Sequence, residues 1–600
     1  MFIWYVSPKG EDIKTNGPKS KPVKTISYAL RRLKANLNKD KKKIGQVYLA
    51  PGEYHEEIVL TSNMQLLRDD KKQFLECDIG NKTYTEKEPA IIIKRPAAPK
   101  RESVVLIHGI NIKIDGIVID GNQTGQRGMR ISNSSHITVT HTKIQNCTSK
   151  IIHKSKGAGT KTDLIKNGYA IKDRGTGAGV RLLHAKNVTF DHCVISHNKT
   201  ELKYRQRLAD KEIEIIKKKL GTIKLALAIA AGKDPTIEGQ KPWIIRNGGG
   251  NIACKHTDEI VFRNCVIEYG FSGGRGAGIV LGTKAYATID QCLLRSNKAS
   301  IDGGGIAVND PGVKDFSRKK IVITNSVFED NQSLDDGGGL YLTAKTKMDI
   351  KNCKFIRNRA ESNGGALRIT FGSELTVANC LFKENEANID AASKSEINQD
   401  GGGAIAARNC NLIITKSSFE ANKCHGFAGG AIYFITAKYN KNAEKVARWV
   451  KGYTFDYIFK KKYLVSSVEC KISHCQFIGN STPGETCYAA NCDPGTKKGY
   501  KAGGAGGAIY LLQNKAFGIP VTAELKSLKF NKNPSSYRNP DYRSELTAFN
   551  IELFSITSSV INSHPSNSYD MSLVSLVDKS YQKSSVYGAS KAKSKIYEKP

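Results

Sequence analysis

The segment Asn363–Asn385, NGGALRITFGSELTVANCLFKEN, has close copies on both sides of it along the chain. Asp336–Asn358 reads DGGGLYLTAKTKMDIKNCKFIRN, and Asp400–Asn422 reads DGGGAIAARNCNLIITKSSFEAN. Each copy begins with glycines, continues through short alternating strands and ends in Phe-x-x-Asn. The phenylalanine recurs at an interval of 27 residues at three successive positions: Phe328, Phe355 and Phe382. A fixed interval that carries a strand pattern is typical of a repeat protein.

The repeat extends well beyond these three copies. Aligning the apolar residue that follows the glycines gives ten equivalent positions: Met129, Val180, Ile252, Ile279, Ile306, Leu340, Leu367, Ile405, Ile432 and Ile509. Short strands of this kind cannot bury their apolar faces alone, so the repeats must stack on one another. We therefore predict an all-β fold, a right-handed parallel β-helix (solenoid) of about 10–12 coils spaced about 4.8 Å apart.

The chain outside the repeats predicts a cap at each end and several insertions. Residues 1–100 read as an N-terminal cap and first coils, with a strand at 2–6, a basic helix at 25–35 and a strand–turn–strand at 46–60. Residues 101–545 form the β-helix, which helical or loop insertions interrupt at 199–245, 437–467 and 481–501. Residues 546–600 form a C-terminal cap or tail.

Two further columns of residues are predicted to be structural. The recurrent asparagine forms a turn ladder, because asparagine tolerates left-handed backbone geometry and bonds to neighbouring backbone: Asn331, Asn358, Asn385, Asn422 and Asn480. Seven cysteines share one buried slot as small, soft side chains: Cys147, Cys193, Cys265, Cys292, Cys353, Cys380 and Cys475. In an oxidising compartment, Cys470/Cys475 and Cys487/Cys492 are candidate disulfides.

The charge of the chain limits its partners. Lys and Arg number 92 and Asp and Glu 56, which leaves a net charge of +36 and indicates acidic partners such as nucleic acid, anionic polysaccharide or an anionic membrane. We find no motif for specific nucleic-acid reading and no apolar stretch long enough to span a bilayer. The opening MFIWYVSPKGEDIK lacks the pattern of a signal peptide. An extracellular or cell-surface location is favoured, with a virion component or the cytoplasm left open.

One outward column carries the candidate binding residues. Alternate residues of a strand point to opposite sides, so the residue after each aligned apolar position faces out of the solenoid. This column holds Arg130, Arg181, Ala253, Val280, Ala307, Tyr341, Arg368, Ala406, Tyr433 and Tyr510. Tyrosine stacks on sugar rings and arginine binds carboxylates or sulfates. We predict substrate binding at Arg130, Arg181, Tyr341, Arg368, Tyr433 and Tyr510.

Acidic residues in the turns before these strands are the candidate metal and catalytic groups. Carboxylates at Asp302, Asp335, Asp336 and Asp400 are suited to hold Ca²⁺, although aspartate before Gly-Gly is also a favoured turn residue. Calcium at Asp336 and Asp400 would neutralise a uronate and acidify its C–H bond. Arg368, or Arg181, would then remove or stabilise the proton, which amounts to β-elimination.

The chain resembles the pectate-lyase-like β-helix superfamily in two features. One is the repeat, which begins with Gly-Gly-Ala and ends with Phe-x-x-Asn, and the other is the N-terminal region, which contains WYVSPKG, KTISYAL and VYLAPGEYHEEI. The repeats also resemble those of polymorphic outer membrane proteins, a family of surface adhesins. The resemblance implies the β-helix fold, but this fold hosts lyases, glycosidases, epimerases, adhesins and phage tailspikes.

The sequence favours a non-enzymatic, adhesin-like protein that binds acidic glycans or a cell surface. A polysaccharide lyase or glycoside hydrolase acting on an acidic polysaccharide is the alternative, and a tailspike-like virion component is the second alternative. Calcium is the one cofactor that the sequence suggests. Oligomers are compatible with the fold.

Overall fold

A computed structural model gives the fold. It describes residues 1–70, 73–88, 90–123, 127–149, 151–153, 171–174, 176–200, 248–308, 320–343, 346–370, 372–387, 401–425, 429–436, 467–482, 485–488, 500–503, 507–513, 521–531, 533 and short strands between 551 and 597. Parallel strands from successive repeats stack into one solenoid, so the predicted β-helix is confirmed. A complete coil has four faces, which we number along the chain from the glycine turn.

The first two faces share one sheet, and in three coils a single bent strand supplies both. Those bent strands are Arg127–Thr140, Val180–Asp191 and Ile252–Arg263. The other first-face strands are Ile58–Leu60, Ser103–Ile107, Ile279–Leu281, Ile306–Val308, Leu340–Leu342, Leu367–Thr370, Ile405–Arg408, Ile432–Thr436, Ile509–Gln513, Ile551–Phe554 and Val574–Val577. The other second-face strands are Phe2–Val6, Gly45–Leu49, Met64–Arg68, Ile110–Asp115, Ala285–Asp290, Ile321–Thr324, Lys347–Lys351, Glu374–Ala378, Asn411–Thr415, Val468–Ser473, Val521–Asn531, Ser558–Ser563 and Ser594–Tyr597.

The third and fourth faces have shorter strands. The third-face strands are Gly52–His55, Ile91–Lys94, Val118–Asp120, Lys143–Gln145, Val194–Ser196, Val266–Glu268, Leu293–Arg295, Val327–Glu329, Lys354–Ile356, Leu381–Lys383, Ser418–Glu420 and Gln476–Ile478, followed by the end of Val521–Asn531. The fourth-face strands are two residues long: Thr148–Ser149, Lys199–Thr200, Phe271–Ser272, Lys298–Ala299, Gln332–Ser333, Arg359–Ala360, Glu386–Ala387 and Lys423–Cys424.

The ten aligned apolar residues pair in register from Met129 to Ile509. The glycines set this register. Gly337 has φ +66°, and a Cβ there would lie 2.3 Å from the carbonyl oxygen of Leu340. A Cβ on Gly338 would lie 2.4 Å from the backbone of the next coil, at Gly365. The turn therefore needs glycine both for its left-handed backbone and for the close approach of neighbouring coils.

The interior contains continuous ladders of identical side chains. Phe328, Phe355 and Phe382 stack with ring centroids 4.6 and 4.9 Å apart, and the stack continues to Phe530. The predicted asparagine ladder is also confirmed. In it, Asn358 Nδ2 donates to Asn385 Oδ1 at 3.0 Å, and Asn385 Nδ2 donates to Asn422 Oδ1 at 2.9 Å.

The cysteine predictions need two corrections. Six of the seven cysteines lie buried immediately before a third-face strand, but Cys147 does not. Lys143 pairs with Val194, which places Cys147 at the level of Asn198, and the Cys147 amide donates to Asn198 Oδ1 at 2.9 Å. Cys147 thus occupies an asparagine-ladder position. Cys470 and Cys475 form no disulfide, because they lie in different columns of one coil. Side chains at Cys487 and Cys492 lie outside the described residues.

Helix α1, Ile26–Lys39, covers the first coil. Thr25 caps it by accepting a hydrogen bond from the Tyr28 amide at 3.2 Å, and Leu33 packs where a Cβ on Gly45 would clash. The predicted strand at residues 2–6 and the strands within 46–60 are present around it. The helix shields the edge that an open first coil would expose. No helix among the described residues is long and apolar enough to cross a membrane.

A hairpin from the N-terminal region lies on the third face. Its strands are Leu75–Asp78 and Thr83–Glu86, and its apolar side chains pack on Val118, Val194, Val266, Leu293 and Val327 of successive coils. Lys82 Nζ reaches Glu329 Oε1 at 2.6 Å, and Arg295 donates to the Lys82 carbonyl at 2.9 Å.

Several of the predicted insertions and the tail fall only in part on described residues. Lys199–Thr200 belong to the fourth face, and residues 201–247 lie outside the described residues, as do 437–466. The range 481–501 contains strand Glu485–Tyr488, which pairs antiparallel with Tyr500–Gly503. A second antiparallel pair joins Ile151–His153 to Ile171–Arg174. Within 546–600 the parallel ladder continues, since Ile509 pairs with Ile551 and Ile551 pairs with Val574. Strand Lys583–Ser585 pairs antiparallel with strand Val574–Val577.

Candidate functional site

The structure brings the predicted Arg/Tyr column together but does not expose it. All ten residues pair in register, from Arg130 beside Arg181 to Tyr433 beside Tyr510. Arg130 and Arg181 are partly exposed, whereas Arg368 is 5% exposed and Tyr433 and Tyr510 are 0% and 1% exposed. Most of this outward-facing column is therefore buried, and substrate binding at Arg130, Arg181, Tyr341, Arg368, Tyr433 and Tyr510 stays a prediction.

Some of the outward side chains of the column pack on one another. Tyr433 and Tyr510 stack with their ring centroids 5.5 Å apart. Ala253, Val280, Ala307 and Tyr341 form an apolar cluster outside the solenoid interior. A residue that faces out of the β-helix is therefore not necessarily exposed to water.

An ion-pair cluster lies where the fourth face turns into the first. Asp302 is 2% exposed and its Oδ2 lies 2.6 Å from Arg275 Nε. The Arg275 guanidinium in turn lies over the Tyr341 ring, 5.2 Å from its centroid. Burial disfavours the charged guanidinium, but Asp302, Tyr341 and Asp336 together outweigh it and hold the pKa of Arg275 above its ordinary value. Burial, reinforced by Asp302, raises the pKa of Tyr341 to about 12.

The same cluster continues into the next two coils. Asp336 Oδ1 accepts hydrogen bonds from the Asn363 amide at 3.2 Å and from Asn363 Nδ2 at 3.0 Å. Asp336 Oδ2 lies 3.6 Å from Arg368 Nε. Asn363 Oδ1 accepts from the Gly401 amide at 3.0 Å. The aspartates thus bond one coil to the next, which is the turn role that the sequence also allowed.

The predicted calcium ligands are partly neutralised already. Asp302, Asp335 and Asp336 each have one carboxylate oxygen within 4.8 Å of the others, a separation that calcium–oxygen distances of about 2.4 Å permit. Arg275 and Arg368 already supply positive charge to Asp302 and Asp336. A cation would have to compete with both guanidinium groups. Calcium at this cluster stays a prediction, and Asp400, its fourth predicted ligand, lies outside the described residues.

The predicted base is poorly placed for proton abstraction. Within the part of the chain that the structure describes, Arg368 Nε and Nη1 are buried and have no hydrogen-bond partner, and Asp336 Oδ2 lies 3.6 Å from Nε. An arginine in a protein stays protonated, so it can bind an anion but cannot readily accept a proton. The roles of Arg368, Asp336 and Asp400 in catalysis stay predictions.

The structure shows a row of charged residues that the sequence analysis missed. The first residue of each fourth-face strand pairs with its equivalent in the next coil. This column begins at the buried Thr148, which pairs with Lys199. We name the rest of the column the cation row, and its members are Lys199, Phe271, Lys298, Gln332, Arg359, Glu386 and Lys423. Its four basic residues are exposed. The signal was present in the sequence, because each row member comes one residue after a ladder asparagine or its equivalent, but the two-residue strands are too short to be recognised as a face.

Comparison with known proteins identifies the family. The model of the family "Right handed beta helix region" matches residues 98–314 and 243–516, which together span more than half of the chain. This chain belongs to that family. No curated protein matches it. The resemblance to polymorphic outer membrane proteins gains no support from these matches and stays a prediction.

Several solved structures are similar at low sequence identity. A Geobacillus virus E2 protein, ORF18, is 10% identical over 66% of this chain and 54% of its own, with a TM-score of 0.29. The A-module of mannuronan C-5 epimerase AlgE6 from Azotobacter vinelandii is 10% identical over 84% and 89%, with a TM-score of 0.35. A mannuronic acid specific family 6 polysaccharide lyase from human gut microbiota is 10% identical over 96% and 91%, with a TM-score of 0.29. Other similar structures include a tailspike and a glycoside hydrolase.

Proposed function

We propose that this protein is a non-enzymatic β-helix that binds acidic glycans outside the cell or at a cell surface, and that the cation row on the fourth face is its binding surface. The observation that carries the proposal is the availability of that positive charge. Lys298 and Lys423 are exposed, and among the described residues neither has a carboxylate within ion-pair distance. An external polyanion can therefore bind them without displacing a carboxylate of the described residues.

Several basic residues on the other faces are already paired with carboxylates of neighbouring coils. Arg263 lies 2.6 Å from Asp191, and Arg357 lies 2.9 Å from Asp330 and 2.7 Å from Glu329. These side chains bond neighbouring coils to each other. A charge that is already paired offers less attraction to a ligand, because the ligand must replace the internal carboxylate.

The binding experiment compares two triple variants of the full chain. Lys298→Glu, Arg359→Glu and Lys423→Glu together reverse the cation row. Lys351→Glu, Lys354→Glu and Lys416→Glu reverse three exposed lysines on other parts of the coil with the same change in net charge. Binding to pectate and heparin is measured by calorimetry at several salt concentrations.

We expect the unmodified protein to bind at low salt and to weaken as salt rises, because exposed ion pairs are screened. The row variant should lose at least about tenfold in affinity, the sum expected of several exposed ion pairs. The control variant should lose much less. Equal losses in both variants, or no binding at low salt, would contradict the proposal.

The alternative function is β-elimination at the ion-pair cluster, and Arg368 is the observation that favours it. Its Nε and Nη1 are buried and make no hydrogen bond to any described residue, so a uronate carboxylate that replaced Asp336 beside Nε could accept hydrogen bonds from them. We expect no unsaturated product from pectate, alginate or heparin when ultraviolet absorbance is followed. A rise in absorbance that Arg368→Ala abolishes would replace the binding proposal with a lyase.

A further inference from the structure

We infer that the cation row recognises a linear polyanion whose charged groups recur on one side at every second sugar, such as an extended hexuronan. This inference rests on the proposed function and adds the geometry of the ligand. It follows from the order of residues in the row, not from the total charge of the chain.

Cations occupy alternate positions of the row. Register pairing runs from Lys199 to Phe271, Lys298, Gln332, Arg359, Glu386 and Lys423, one residue for each coil. The basic residues are therefore the first, third, fifth and seventh members. With coils about 4.8 Å apart, neighbouring cations are about 10 Å apart and the whole row is about 29 Å long.

An extended polysaccharide with two-fold symmetry has a matching repeat. Successive sugars turn opposite sides to a flat surface, so a carboxylate carried by every sugar meets that surface only at alternate sugars. A sugar in such a chain is about as long as the separation of two coils. Each disaccharide of the ligand would then place one carboxylate at one basic residue of the row.

The row positions between the basic residues carry different side chains, which would make different contacts with the sugars that lie between the bound carboxylates. Phe271 is partly exposed, and Tyr269 beside it is 46% exposed and stacks on His197 with centroids 4.8 Å apart. Lys199 Nζ lies over the Phe271 ring, 5.5 Å from its centroid, so Tyr269 supplies the exposed aromatic surface for a sugar ring. Gln332 offers an amide for hydrogen bonds to hydroxyl groups.

Glu386 is the one acidic member of the row. Its Oε2 lies 3.8 Å from Arg359 Nε and 3.7 Å from His425 Nε2. It lies between Arg359 and Lys423 and would repel a carboxylate that follows the row. Replacing Glu386 by glutamine should therefore strengthen binding. Glu384, exposed at the neighbouring corner, is a matched control because it lies off the row.

The first experiment compares Glu386→Gln with Glu384→Gln, using oligogalacturonates of eight sugars and calorimetry. Both changes alter net charge equally and leave the buried asparagine ladder intact. We expect about a two- to fivefold gain in affinity for Glu386→Gln, the effect of about one exposed ion pair. Glu384→Gln should change the affinity less than half as much. An equal gain in both variants would overturn the inference while leaving acidic-glycan binding in place.

The second experiment varies ligand length on the unmodified protein. Affinity should rise about 1.4- to 5-fold for each added disaccharide until four disaccharides cover the row, and should then level off. A smooth increase past that length would contradict a row of four sites. Single-stranded DNA of equal charge serves as the competitor. If it displaces the octamer at a lower concentration than pectate does, the ligand class is wrong. If no polyanion binds, the proposed function itself fails.

Discussion

At the scale of single residues, the solenoid depends on side chains that make the same contact in every coil. Asn385 is a typical member. Its Oδ1 accepts from the Asn358 amide and from Asn358 Nδ2, both at 3.0 Å, and its Nδ2 donates to the Phe355 carbonyl at 2.9 Å. The side chain is completely buried. Buried polar groups of this kind stabilise a fold only when every partner is present.

Asn385→Ala should destabilise the protein by about 3 kcal/mol or more, because each buried donor or acceptor left unpaired costs about 1–3 kcal/mol. Asn379→Gly is the control. Asn379 is exposed, has φ +59° and donates to Asn352 at 3.2 Å, so its loss should cost less than about 1 kcal/mol. Denaturant unfolding followed by circular dichroism compares the two. Similar losses of stability in the two variants would show that a hydrogen bond in the asparagine ladder stabilises the fold no more than a surface contact does.

At the scale of elements, the hairpin Leu75–Glu86 fastens the N-terminal region to the third face. Phe74 and Leu75 are fully buried against it, and Arg68 lies over the Phe74 ring, 5.5 Å from its centroid. The hairpin covers an apolar stripe that runs through successive coils. The coils beneath it also have their own strand ladders, so the hairpin and the solenoid should respond differently to mutation.

Phe74→Ala should weaken hairpin docking by about 3–5 kcal/mol, the usual cost of truncating a buried phenylalanine. We expect faster hydrogen exchange in residues 73–88 and little change in the first-face strands. Phe355→Ala, in the interior stack, should instead speed exchange in the strands of neighbouring coils. If Phe74→Ala speeds exchange throughout the solenoid, then the hairpin is part of the same cooperative unit.

At the scale of the whole molecule, stacking makes neighbouring coils depend on each other. In a solenoid each repeat contacts only its neighbours, and unfolding spreads through the interfaces between them. The reactivity of thiols buried in different coils can show how far unfolding has spread along the solenoid. Burial raises the pKa of Cys254, Cys410 and Cys475 to about 12, so few of them are thiolates at neutral pH.

These three thiols should resist iodoacetamide at neutral pH in the native protein and react together once denaturant unfolds the solenoid. Mass spectrometry of the alkylated peptides measures each site. Cys77, which lies in the hairpin strand Leu75–Asp78 and is only partly buried, should react at a lower denaturant concentration. Reaction of Cys475 well before Cys254 would show that the C-terminal coils unfold separately.

The sequence by itself determined the register of the coils. Only one stacking order buries the recurring Phe side chains together, pairs the Asn side chains with one another and brings the glycine turns into contact. For this reason the aligned residues from Met129 to Ile509 pair in register. Only the tertiary structure decided which outward residues are exposed. Tyr433 and Tyr510 are buried while the cation row is open, because exposure depends on what packs against a side chain from distant parts of the chain.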